Sequence, residues 1–391
     1  MKYNFDKVID RSGTSAEKVE GLKHIWGRTD LIPLWVADMD FATAPFVTDA
    51  IRKRCENEVL GYTGKPDSYY NAIINWVKQR YDLIVTKEVI NFVPGIVPGI
   101  GMAMNCFTQK GDKVMIQPPV YHPFAWVTTR NERTLVINPL KWENGMYRMD
   151  LDAFREQIKG CKLFILCNPH NPGGVVWTEA ELRAIADICY DEKVLVFSDE
   201  IHADLTLPPH THRPFATVSE KARMNSVTFM PPSKAFNMPG LSASHALIFN
   251  EDLRKRFRIY MDAGELDMGH VFAFLSVEAA YSHGTEWLDQ CLAYIQGNID
   301  FVDEFLKKHA PKIKAIRPEA SYLVWLDCRE LELSQKDLNE FFVDKAHLAL
   351  NDGEMFGKEG IGFMRLNVAS PRCIIEKAMK QLADAYQLYI K

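Results

Sequence analysis

Residues 163–205 read LFILCNPHNPGGVVWTEAELRAIADICYDEKVLVFSDEIHADL, and their pattern decides the fold. LFILC (163–167) and VLVFS (194–198) are short, almost continuously apolar runs, as expected of strands buried on both faces. Between them Leu182, Ile185, Ala186 and Cys189 recur at helical spacing, so a helix is predicted from Glu179 to Glu192. Thr178 and Glu181 supply the Thr-x-x-Glu capping box at its start. Strand, helix and strand of this kind imply a mostly parallel sheet with helices on both faces.

The pattern continues outward. KVMI (113–116), TLVI (134–137), SVTF (226–229) and HALIF (245–249) are further strand candidates between Lys113 and Asn250. Past residue 284 the character changes: KIKAI (312–316), YLVWLD (322–327), a helix near 335–347, GFMRLNVA (362–369) and a last helix near 372–388 read as a small α+β unit. The first 45 residues carry little helical periodicity and are expected to wrap onto that unit. The reading is therefore an α/β chain with a large domain over 46–284 and a small domain formed by both termini, 1–45 and 285–391.

The 391 residues are 47% hydrophobic and 25% charged with a net charge of −5, an ordinary globular profile. No long run of like charge suggests nucleic acid, and RKRFR (254–258) reads as a solvated helix face. No run of 18 apolar residues suggests a membrane span, and MKYNFDKVID lacks the apolar core of a signal peptide. The eight cysteines include no Cys-x-x-Cys pair and are expected to be reduced thiols of a cytoplasmic protein.

Doubly wound sheets bind ligands at the carboxyl ends of their strands. Three such ends carry polar residues: Asn168 and Asn171 in CNPHNPGG, Asp199 and His202 in SDEIHADL, and Ser233 and Lys234 in PPSKAFN. Each has a bland alternative. The asparagines suit a turn, Asp199 could cap the next segment, His202 could be a core histidine, and Lys234 could extend its ammonium to water. His210 and His212 lie in a proline-rich stretch read as a surface loop, without a third ligand for a metal. Gly95 and Gly99 precede an apolar helical run, where free amides attract a phosphate. Tyr121 follows a strand and could stack on a planar ring. Arg365, inside an apolar strand, suits either a carboxylate or a structural ion pair. A phosphate site, a stacking aromatic, an acid, an amine and a carboxylate-binding arginine together specify pyridoxal 5′-phosphate acting on an amino acid, with Lys234 as the Schiff-base anchor.

At this point the chain resembles the fold-type I pyridoxal-phosphate enzymes of the class I/II aminotransferase superfamily. LWVADMDF (34–41), GYT (61–63), QPPVYHPF (117–124), FILCNPHNPGG (164–174), SDEIHADL (198–205) and SKAFNMPGL (233–241) resemble its cystathionine β-lyase or C–S lyase branch. The resemblance implies a seven-stranded, mostly parallel sheet in the large domain and a homodimer with shared sites. It implies that Lys234 anchors the cofactor and shuttles the Cα proton. Asp199 would pair with the ring nitrogen, and Asn171 and His202 would lie toward the ring 3′-oxygen. Tyr121 would stack on the ring. The Gly95, Ile96 and Val97 amides with Ser233 would hold the phosphate, and Tyr62 would reach the phosphate of the other subunit. Lys234, Tyr62 and Tyr121 are the implied catalytic residues; Arg365, Asn171, Ala37 and Asp38 the implied substrate contacts. No metal is implied. Aminotransferases of this superfamily usually carry an arginine eight residues after the lysine, where this chain has Ser242. That departure shifts phosphate binding toward backbone amides and Tyr62, and favours a β-lyase over an aminotransferase. Members of the branch also bind a transcription activator, but no segment here marks such a surface.

Overall fold

The computed structural model describes residues 2–389. Seven strands form the main sheet: β1 (Ile90–Val93), β2 (Lys113–Ile116), β3 (Thr134–Ile137), β4 (Cys161–Cys167), β5 (Leu195–Asp199), β6 (Ser226–Met230) and β7 (Ser244–Leu247). Their order across the sheet is β1-β7-β6-β5-β4-β2-β3. The five strands from β6 to β3 pair in parallel, while β7 runs antiparallel to both of its neighbours. The reason lies in the connection. A parallel return needs a crossover, usually a helix, and the chain from Met230 to Ser244 holds only the single 3₁₀ turn Pro239–Leu241.

The helix Glu179–Asp191 covers this sheet, and both halves of its capping box form: the Glu181 amide donates to Thr178 Oγ1 at 3.2 Å and the Thr178 amide to Glu181 Oε2 at 2.8 Å. The helix Ile96–Phe107 lies close against the sheet, so Gly99 belongs inside it rather than before it. A Cβ on Gly99 would come within 3.0 Å of Val93 and 3.2 Å of Phe229.

A second sheet is antiparallel throughout: β8 (Lys314–Ile316), β9 (Leu323–Asp327), β10 (Asn351–Asp352) and β11 (Phe363–Asn367), in the order β8-β9-β11-β10. The helices Thr285–His309 and Arg372–Tyr389 pack with it, and the expected helix near 335–347 is an α-helical turn and a half, Gln335–Glu340, followed by a π-turn, Phe341–Lys345. The N-terminal segment joins this sheet's surroundings: Ile32–Pro33 pairs in parallel with Leu348–Ala349, and the Asn367 amide donates to the Leu34 carbonyl at 2.9 Å. Contrary to the sequence pattern, residues Glu17–Trp26 are helical, ending at Gly27 with φ 66°. Only Lys18, Gly21 and Leu22 of that helix are buried, too narrow a face to show as periodicity. One apolar core joins the two sheets, with Leu34, Met39 and Phe41 packed among Phe236, Trp287 and Tyr322.

Candidate active site

Parallel register puts the ends of β4, β5 and β6 side by side: Cys167 lies opposite Asp199, and Asp199 opposite Phe229. The three polar loops foreseen from the sequence therefore leave one edge. Asp199, Ser233 and Lys234 line a cleft of about 190 Å³ there. Gly95, Ile96, Val97 and Tyr121 line the same cleft from the other side. Gly95 has φ 132°, a conformation that disfavours a side chain, and its carbonyl accepts the first helical bond, from Gly99 at 2.9 Å. The Ile96 and Val97 amides precede that bond and have no partner inside the helix. They and the helix dipole suit an anion.

Lys234 Nζ donates to the Ala37 carbonyl at 2.5 Å, and the Tyr322 hydroxyl donates to the same oxygen at 2.9 Å. Burial pushes the amine down to about 8; Asp38 and Asp199 pull it back up and Arg365 pushes it further down. Burial pushes the Asp199 carboxyl up to about 7, against the Ile201 amide that donates to Oδ1 at 3.0 Å. Burial and the charges of Lys234 and Arg365 hold His202 neutral, down to about 3. Burial also raises the Tyr121 phenol, with the nearby Asp199 adding to the effect.

Arg365, on β11, is buried at 4% exposure, beyond the reach of bulk water. Its Nη1 donates to Asn171 Oδ1 at 3.1 Å, and Nη2 donates to Asn351 Oδ1 at 2.5 Å and the Trp35 carbonyl at 3.2 Å. Burial pushes this guanidinium down to about 10. Among the buried nitrogens nearby that have no hydrogen-bond partner among the described residues are His202 Nδ1 and Arg365 Nε. Buried polar groups are rarely left so without a ligand to satisfy them. Helix-start amides, a buried acid, a depressed amine and orphaned donors fit a phosphorylated, ring-nitrogen-bearing group with an amino-acid carboxylate beside it.

The remaining expected residues sit differently. The Asp38 carboxylate faces away toward Arg11, whose Nη2 donates at 2.5 Å, and Lys18, 3.7 Å distant. Asp38 thus acts on Lys234 through its charge, and its neighbour Ala37 through a carbonyl. Tyr62 is 99% exposed and contacts none of these groups within the one chain. His212 is buried rather than on a surface loop, because its Nε2 is held 2.8 Å from the buried Glu200. Glu200 and Asp204 of SDEIHADL are structural: Glu200 also accepts from Ser198 and the Phe215 amide at 2.8 Å, and Asp204 from Trp76 and Tyr81. Sequence reasoning missed Trp35, Tyr322 and Asn351, and only the register of β10 against Arg365 exposes the last. Ser242, in place of the arginine usual eight residues after the lysine, lines the cleft.

The model of the aminotransferase class I and II family matches residues 29–382. A cystathionine beta-lyase, PatB, of Bacillus subtilis (strain 168) is 38% identical over 98% of this chain and 99% of its own. A PLP-bound putative aminotransferase from Clostridium difficile 630 superposes with a TM-score of 0.96 at 40% identity, over 98% of this chain and 100% of its own. Cystalysin from Treponema denticola, whose structure contains a pyridoxal 5′-phosphate cofactor, gives a TM-score of 0.96 at 33% identity over the whole of both chains. Sequence pattern, sheet order, cleft and likeness agree, and the chain belongs to the aminotransferase class I and II family.

Proposed function

We propose that this protein is a pyridoxal 5′-phosphate-dependent C–S β-lyase. It cleaves S-substituted L-cysteines such as cystathionine to a thiol, pyruvate and ammonia. One observation carries the reading: Lys234, lowered to about 8, shares a cleft with Asp199 and the free helix-start amides beside the Arg365 guanidinium. The cystathionine β-lyase and cystalysin likenesses support the choice of reaction.

When bound, the cofactor supplies an aldehyde for amines and an electron-withdrawing ring that acidifies the substrate Cα–H. The Ile96 and Val97 amides and Ser233 would hold its phosphate and Tyr121 would hold its ring, and Asn171 and His202 would serve its ring oxygen. Asp199 would pair with the ring nitrogen. Arg365 grips the substrate α-carboxylate and orients the Cα–H bond toward Lys234. The Lys234 amine, poorly solvated and largely neutral just above its value, takes that proton as general base. The Cβ–S bond breaks with its electron pair on sulfur, which takes the proton back from the Lys234 ammonium to leave as the thiol; the freed enamine tautomerises to its imine, which adds water and expels ammonia to give pyruvate.

Further parts of the reading concern organisation. The division into 46–284 against 1–45 with 285–391 fits the two sheets. A homodimer would bring Tyr62 of a second copy to the phosphate, and its full exposure in one chain supports this. A cytoplasmic location fits eight free cysteines. Among the described residues no helix is long and apolar enough to cross a membrane.

An aminotransferase would use the same residues but return the proton to the cofactor instead. The test is to give cofactor-loaded protein L-cystathionine with no 2-oxo acid and to follow pyruvate and thiol together. Sustained, equimolar release supports the lyase. A single turnover that resumes only on adding a 2-oxo acid replaces it with the aminotransferase.

A further inference from the structure

The stretch LWVADMDF (34–41) carries two acids, Asp38 and Asp40, that the proposed chemistry leaves unused. Both carboxylates join a cluster with the N-terminal segment. Arg11 Nη2 donates to Asp38 Oδ2 at 2.5 Å, and its Nη1 donates to Asp38 Oδ1 at 3.2 Å and to Asp40 Oδ1 at 3.1 Å. Lys18 Nζ donates to Asp40 Oδ2 at 2.8 Å and to the Asp38 carbonyl at 3.4 Å, and the Ser370 hydroxyl donates to Asp40. The side chains of Arg11 and Asp38 are only 23% and 14% exposed, so salt screens their charges less than those of a surface pair.

The cluster sits directly behind the seat of the reactive amine. Ala37, next to Asp38, offers the carbonyl that accepts from Lys234 at 2.5 Å and from the Tyr322 hydroxyl at 2.9 Å. With its side chain forked by Arg11 and its carbonyl held by Lys18, Asp38 keeps that seat in place. Asp38 is also the strongest of the charges favouring the Lys234 ammonium, ahead of Asp199 on β5, while Arg365 on β11 opposes it. The other groups near the amine carry no charge: His202 is held neutral, and burial raises the phenols of Tyr121 and Tyr322. Behind Asp38, Lys18 and Asp40 offset one another. Arg11 is left as the charge that offsets Asp38.

We propose that Arg11 is a positioning residue for Lys234: paired with Asp38, it fixes the segment that seats the amine and offsets a carboxylate charge that would otherwise keep the amine protonated. Arg11 does not line the cleft, so the N-terminal segment tunes the base without touching substrate. The assignment rests on Lys234 being the base of the proposed reaction, and holds for elimination and amino transfer alike.

The experiment compares two midpoints in wild type, Arg11→Gln, Asp38→Asn and the double variant. One is Lys234 acylation against pH in the cofactor-free full chain. The other is the acid limb of kcat for L-cystathionine in the holoenzyme, which reports groups in the substrate-bound enzyme. Arg11→Gln keeps a donor toward Asp38 and leaves Lys18 in place, and should raise both midpoints by about one pH unit. Asp38→Asn should lower them, and the double variant should return them to wild type. Arg11→Lys, which keeps the charge, should stay close to wild type. A pocket that merely loosened would admit water and raise the midpoint in every variant, so opposed shifts separate charge from packing. Arg11→Gln without a shift, or a double variant as high as Arg11→Gln, overturns the proposal. Absence of pyruvate from L-cystathionine in the wild type would overturn the lyase reading alone, because the acylation midpoint needs no substrate.

Discussion

The Arg365 guanidinium donates to the Asn171 side-chain oxygen at 3.1 Å, joining the loop after β4 to the central strand of the second sheet across 194 positions of chain. Each residue fixes the other's orientation, so the proposed carboxylate grip and the proposed cofactor-facing loop form one unit. Lysine cannot reproduce the guanidinium's fork of donors. Arg365→Lys is therefore expected to raise KM for an amino-acid substrate by about two orders of magnitude, the worth of about 2–3 kcal/mol for hydrogen bonds to a charged group. Steady-state kinetics check this; an unchanged KM would remove Arg365 from substrate binding.

Lys234 carries a second prediction. In cofactor-free protein its amine should be half protonated near pH 8, where an exposed lysine would need about 10.4. Acylation rate against pH, read by mass spectrometry of the Lys234 peptide, gives the midpoint. Because Asp38 pulls the value up, Asp38→Asn should move the midpoint lower still. A midpoint at the exposed-lysine value would refute both statements. Lys234→Ala should abolish turnover and the absorbance of the lysine-bound cofactor.

Lys18 is fully buried and ion-paired with Asp40 at 2.8 Å, in a cluster completed by Arg11 and Asp38. Removing one member of a buried pair leaves its partner uncompensated, at a cost of about 3–5 kcal/mol. Lys18→Met should lower unfolding stability by about that amount, and adding Asp40→Asn should restore part of it. Denaturant melts of the single and double variants decide; additive losses would mean the two residues are not coupled.

His245 lies in β7 with both ring nitrogens buried and without a hydrogen-bond partner among the described residues, and burial pushes it down to about 3. Its folded value lies below the unfolded value of about 6.5. Its contribution is therefore complete above pH 6.5 and is lost as pH falls toward 3, because the unfolded chain takes the proton that the folded chain refuses. His245→Leu escapes this loss. The variant's stability relative to wild type should rise by about 1.4 kcal/mol per pH unit below 6.5. Urea unfolding at pH 7.5 and 5.5 measures it, and a difference that stays constant between them would sink the argument.

What the sequence shows of this site follows from distance along the chain. Lys234, Asp199 and Asn171 are legible because each lies in the segment that leaves a recognisable apolar run, and neighbouring parallel strands end at one edge. Arg365 is legible because a charge inside an apolar strand needs a reason. Asn351, Trp35 and Tyr322 carry no such local mark; their importance arises only when β10, β9 and the N-terminal segment meet around Arg365 and Ala37. His212 was misplaced on the surface because proline-rich loops usually lie there, while its buried partner Glu200 is fixed from another loop. The strand β1, INFV, escaped notice because Asn91 interrupts its apolar run.

Residues 34–41 supply the carbonyl that holds Lys234, and they are pinned by Asn237 and by Asn367, whose side chain donates to the Val36 and Asp38 carbonyls at 2.7 Å. Residues 34–41, Asn237 beyond β6 and Asn367 on β11 are thus tied together over the lysine. Any loosening of the second sheet is therefore felt at an amine carried by the first, because the Ala37 carbonyl that accepts from Lys234 lies between two carbonyls held by Asn367.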